Sequence, residues 1–202
     1  MRFLPLVIAL LLPAAALAAD TKPGGPITCT SPIAQGDTAK SLKAKYGKNA
    51  VIKKVPGAEG EENTALVLYP KDKKNELIVS FFDDAMTQLS GVAPGGDPTN
   101  WTIFGLTMGS SLEDVQKANG KIFDIAGFDW DYGGFVTGWH GGALDSKKSE
   151  PCSISVRFAT NDPNLPTSMS GDGVTIKSNN PRLAKAKPVV QMLTLGFAQP
   201  KN

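Results

Sequence analysis

The chain has 202 residues, a formal net charge of +2, 41% hydrophobic and 20% charged residues. Such a balance gives no basic stripe for nucleic acid, and the length suits one domain or two small ones. The single long apolar run falls well short of the ~20 residues a membrane-spanning helix needs.

That run, residues 3–12, follows Met1 and Arg2 and is broken by Pro13. Ala16, Leu17 and Ala18 then fit a small-x-small cleavage pattern. The arrangement predicts an export signal over residues 1–18 and a mature chain starting near Ala19, in the periplasm or secreted. No cysteine stands at the cleavage point, so lipid anchoring is not indicated. Loss of Arg2 with the signal lowers the formal charge from +2 to +1.

Two cysteines remain, Cys29 and Cys152. An even count in an exported chain reads as a disulfide; two buried free thiols are the alternative. Strand alternation places Cys152, Ile154, Val156 and Phe158 on one face, and Cys29 shares its face with Ile27, so both sulfurs point toward apolar surroundings. Closing so long a loop stabilises by roughly 4–5 kcal/mol in the chain-entropy model.

Residues 20–26 are rich in Pro and Gly and read as an extended lead-in. A first helix is expected from Asp37, as N-cap, to Gly47, with Ala39, Leu42 and Tyr46 on one face. Strands are expected at residues 50–54, 64–69 and 76–82, the last two linked by the polar residues 70–75 as a hairpin. The stretch 94–98, Pro-Gly-Gly-Asp-Pro, is the expected seam between a first unit, 19–98, and a second, 99–202.

The second helix is expected to start at Ser110, with Glu113 at capping-box spacing, and to stop at Gly120; Leu112 and Val115 mark its inner face. Strands are expected at 121–125, 135–139 and 152–158, then at 189–197 after a stretch in which only 174–177 looks strand-like. Helices of about nine residues do not hold alone in water and must lie on a sheet. The fold class is therefore α+β: two repeats of a short helix followed by antiparallel strands, packed as one compact body.

The repeat has its own signature. Gly36 aligns with Gly109, Gly47 with Gly120 and Lys48 with Lys121, at an offset of about 73 residues. Tandem short helices with antiparallel strands, each opened by Gly-x-Ser/Thr and closed by Gly, resemble the exported β-lactamase-inhibitor-protein family. They also resemble the small outer-membrane-assembly lipoprotein domain, which uses one such unit. Residues 127–134 and 138–142 look more like a group of uncharacterised exported bacterial proteins. The resemblance implies a fold that often binds other proteins and seldom catalyses; no functional residue is carried across from it.

The densest cluster of candidate residues is Phe128, Asp129, Trp130, Asp131 and Tyr132, ahead of Trp139 and His140. Aromatic rings with a polar handle give large contact area at low entropic cost, as recognition surfaces need. Alternation allows a second reading, with Phe128, Trp130 and Tyr132 packed inward and Asp129 and Asp131 left in water. Asp129, Asp131 and Gly133 hint at a calcium loop, but its twelfth position here is His140 rather than glutamate.

His140 is the only histidine, and Gly138, Gly141 and Gly142 around it could let a ligand approach the backbone. No nucleophile elbow, zinc-binding helix motif or phosphate loop is present. Lysines in the first unit (Lys40, Lys43, Lys45, Lys48, Lys53, Lys54) are offset in part by Glu59, Glu61 and Glu62.

These residues point to an exported, non-enzymatic binding or inhibitory protein of the bacterial envelope. Its partner would be a protein or envelope polymer, its ligand-binding residues Asp129, Trp130, Asp131, Tyr132, Trp139 and His140, and it would need no cofactor or metal. The alternative is an envelope hydrolase using His140 with one of Asp124, Asp129 or Asp131.

Overall fold

Thr38 and Ser111 decide where the two longer helices begin. The computed structural model describes residues 23–145 and 152–199; the expected export signal and cleavage point lie outside them. Helix α1 spans Ala39–Tyr46 and α2 spans Leu112–Asn119. Thr38 Oγ1 accepts from the Ser41 amide at 3.1 Å and Ser41 Oγ accepts from the Thr38 amide at 3.0 Å, a reciprocal cap. Ser111 and Asp114 repeat it at 3.1 and 2.9 Å.

Both caps lie one residue later than expected. Asp37 accepts from the Ala34 amide and the Ser41 hydroxyl, each at 2.9 Å. The Ser110 hydroxyl accepts from the Thr107 amide at 3.0 Å. Local turns have claimed those side chains, leaving the next hydroxyl to cap. Gly47 and Gly120 end the helices as expected, Gly120 in the left-handed conformation at φ 67°.

The helix caps recur at a common offset, but the strands that follow do not share one arrangement. After α1 comes a meander of β2 (Ala50–Pro56), β3 (Glu62–Leu68), β4 (Leu77–Phe81) and β5 (Leu89–Pro94), numbered after a short β1 (Gly25–Ile27). β6 (Trp101–Ile103) precedes α2, and β7 (Asp124–Ala126), β8 (Val136–Gly138), β9 (Cys152–Ala159) and β10 (Thr175–Lys177) follow it. Helix α3 (Pro181–Ala186) and β11 (Val189–Phe197) complete the order.

Six strands form one antiparallel sheet in the order β2-β3-β4-β5-β11-β9. Three form a smaller sheet, β10-β7-β8, and β1 pairs in parallel with β6. The β5–β11 pairing, with Val92 opposite Leu195, carries the large sheet across the stretch expected as a seam.

One core draws on both halves of the chain: Leu42, Leu66, Leu77 and Val79 lie in the same buried cluster as Val115, Phe123, Val156 and Leu195. Along β9 the residues Cys152, Ile154, Val156 and Phe158 are buried, as strand parity requires. Cys152 is bonded to Cys29, closing a sequence separation of 123. Among the described residues no helix is long and apolar enough to cross a membrane.

Candidate functional site

β7 and β8 form a hairpin, and its connecting loop, residues 127–135, holds most of the aromatic and acidic candidates. The loop is not an alternating strand. Phe128 is buried at its base, with its amide donating to Met169 O and its carbonyl accepting from the Gly171 amide, both at 2.8 Å. Asp129 follows at φ 63°, an uncommon conformation for a side-chain-bearing residue, and its Oδ2 accepts from the Ser170 hydroxyl at 2.7 Å. The chain thereby turns outward after Phe128.

Trp130 is half-buried and ties its own loop: Nε1 donates to Gly127 O at 2.8 Å, and its carbonyl accepts from the Gly133 amide at 2.9 Å. The Arg157 guanidinium donates from Nε to Gly133 O at 2.8 Å and lies 5.2 Å from the centre of the Phe135 ring. At Gly134, φ 78°, a Cβ would overlap the Phe158 carbonyl oxygen, so glycine is required there.

Tyr132 stands 49% exposed, edge-on to Trp130 with centroids 5.6 Å apart. Its hydroxyl donates to Glu59 Oε1 at 3.2 Å. Glu59 sits at φ 54° in the turn Ala58–Gly60 between β2 and β3. The Glu59 charge and hydrogen bond, with lesser contributions from desolvation, Asp131 and Glu61, push the Tyr132 phenol above its usual range. Asp131 is exposed beside it.

Trp139 and His140 lie at the other end of the same hairpin, just past β8. Six residues expected to form one surface therefore divide into two groups. Trp139 is partly buried against the core, its ring 5.3 Å from Phe123 and its carbonyl accepting from Asn119 Nδ2 at 3.1 Å. Nor is the backbone at Gly142 open to a ligand, because the Asn119 side chain fills the space beside it.

His140, at φ 52°, places Nε2 2.8 Å from Asp124 Oδ2. Of the three aspartates expected as possible partners, the structure selects Asp124, because Asp124 pairs with Gly138 across the β7–β8 ladder. Lys177 Nζ lies 2.7 Å from Oδ1, an ion pair whose approach misses hydrogen-bond alignment. Burial acts to raise the Asp124 carboxyl, but Lys177 and His140 outweigh it and hold it below the usual carboxylate range. Among the described residues no hydroxyl or thiol is hydrogen-bonded to the imidazole.

Sequence reasoning missed Glu59, Arg157, Ser170 and Lys177. The first three reach the loop from distant segments with no local pattern to reveal them. Lys177 was within reach, since it ends a segment expected as a strand. Among the described residues no group of three or more His, Cys, Asp or Glu side chains is placed to hold a metal ion.

Comparison with protein-family models, with curated proteins and with solved structures gives no match. What the chain does must therefore be read from its own residues.

Proposed function

We propose that this chain is an exported, non-enzymatic binding or inhibitory protein of the bacterial envelope, recognising a protein or an envelope polymer through residues 129–132. One observation carries the reading: Tyr132 is half exposed, edge-on to Trp130 and flanked by Asp131 and Glu59 on a loop held by Phe128, Arg157 and Gly134. A fixed aromatic pair with carboxylates around it presents contact area at little ordering cost. The Cys29–Cys152 bridge is compatible with an oxidising compartment, periplasmic or secreted. The resemblance to the β-lactamase-inhibitor-protein family points the same way.

Trp130→Ala and Tyr132→Ala test the reading. Partners captured from envelope extract by the parent should be lost by both variants, each checked for the parent's circular dichroism. Folded variants that keep every partner would overturn the assignment.

A second reading has its own support in the 2.8 Å contact between His140 and Asp124. An imidazole oriented by a carboxylate can take a proton from water and so serve an envelope hydrolase. Hydrolysis of ester or glycoside substrates abolished by His140→Ala but untouched by Tyr132→Ala would favour it over the binding protein.

A further inference from the structure

Three strands of the small sheet deliver charged or polar groups to the same end. Lys177 closes β10 and stands opposite Asp124, which opens β7 and stands opposite Gly138 of β8; His140 follows two residues later. The imidazole and the Asp124 carboxylate meet beside Gly138, where a Cβ would stand at ordinary contact distance, 3.7 Å from Nε2 and 3.8 Å from Oδ2. The outcome is a row across the sheet, Lys177–Asp124–His140, with contacts of 2.7 and 2.8 Å. Asp124, 15% exposed, is hydrogen-bonded to His140 through Oδ2 and ion-paired with Lys177 through Oδ1, which has no aligned hydrogen bond. Lys177 engages one carboxylate, and its ammonium has N–H groups to spare. The imidazole keeps Nδ1 free of any described partner.

In front of this row lies a shallow, largely open depression of about 540 Å³ lined by Lys121, Ile122, His140, Lys177 and Asn179. Ile122, just past the Gly120 cap of α2, is 46% exposed and supplies an apolar floor. Lys121 beside it forms no ion pair among the described residues. Lys177 is paired with the Asp124 carboxylate, and the unpaired Lys121 leaves one positive charge next to apolar surface. A cation is repelled by that field, and a dianion is only half neutralised. An exposed isoleucine between two lysines matches a ligand with one negative group and an apolar body.

We propose that this depression binds a small monocarboxylate with an aromatic or short aliphatic body. The carboxylate lies between the Lys121 and Lys177 ammonium groups, and the apolar part covers Ile122 beside the His140 ring. The site stands at the opposite end of the β7–β8 hairpin from residues 129–132, so it does not depend on the proposed recognition loop.

His140, the chain's only histidine, gives one pair of imidazole C–H signals, from Cε1 and Cδ2, in proton NMR. Benzoate serves as the probe, with benzamide as its neutral analogue and inorganic phosphate as a charge-only control. Benzoate should shift the imidazole C–H resonances in a saturable way, with a dissociation constant on the order of 1 mM. Benzamide and phosphate should bind at least about tenfold more weakly. Lys121→Ala and Ile122→Ser, both at exposed positions, should each weaken benzoate about fivefold while keeping the parent's urea midpoint. Tyr132→Ala should leave the titration unchanged. Absence of a saturable shift, a phosphate titration equal to that of benzoate, or benzoate binding indifferent to both substitutions would overturn the proposal.

Discussion

Tyr132 and Glu59 are 73 residues apart in the chain, and the phenol hydroxyl of one donates to Oε1 of the other across 3.2 Å. The contact joins the β7–β8 loop to the turn between β2 and β3. A carboxylate beside the hydroxyl disfavours phenolate and raises the Tyr132 phenol. Because its folded value lies above the unfolded one, the contribution is complete at neutral pH and is lost as pH rises through the folded value. Glu59→Gln should move the Tyr132 ionisation back toward the usual phenol range. Ultraviolet titration of the parent against Tyr132→Phe isolates this group among the three tyrosines; a curve indifferent to Glu59→Gln would disprove the pairing.

Asp124 gives the opposite sign. Burial works against its charged form, yet Lys177 and His140 hold it below the usual carboxylate range. Its contribution is therefore present above the unfolded carboxylate value and disappears as pH falls through the depressed one. Asp124→Asn should cost about 1 kcal/mol at pH 7, below the usual worth of a charged hydrogen bond because both partners are well exposed. Urea midpoints measured from pH 7 to pH 3 should fall less steeply in the variant than in the parent.

The helix caps can be told apart by substitution. Thr38→Ala and Ser111→Ala should each destabilise the fold by about 1 kcal/mol. Ser110→Ala, which removes only a turn contact to Thr107, should cost less. Thermal unfolding of the three variants would decide; equal losses at Ser110 and Ser111 would put the start of α2 one residue earlier.

Gly134 is the tightest point under the β7–β8 loop. Its φ of 78° and the Phe158 carbonyl beside it both exclude a side chain. Gly134→Ala should destabilise by about 2 kcal/mol or more and release Tyr132 from Glu59. Gly171→Ala, also at positive φ but with open space around it, should cost less in the same urea titration. Similar losses at the two positions would mean that backbone strain alone matters.

Periodicity reveals an element when the element is long and one-sided. β11 coincides with its expected span, residues 189–197, because Leu193, Leu195 and Phe197 alternate into the core over nine residues. Three-residue strands such as β1 and β6 carry too little pattern to be seen, and they exist because each finds the other. Helix α3 was legible but overlooked: Asn180 caps it through the Arg182 amide and Pro181 occupies its first turn, inside a stretch whose Pro and Asn content reads as loop. The candidate site was half legible. Composition located Trp130 and Tyr132, but only the β7–β8 register could show that His140 faces Asp124 and lies away from that pair.

The Cys29–Cys152 bond turns most of this chain into a ring. A protease that cut one exposed connection between those residues, such as the turn at Ala58–Gly60, would leave both pieces covalently joined. The nicked molecule would gain the mass of one water and run as a single species until a reductant opened the sulfur link.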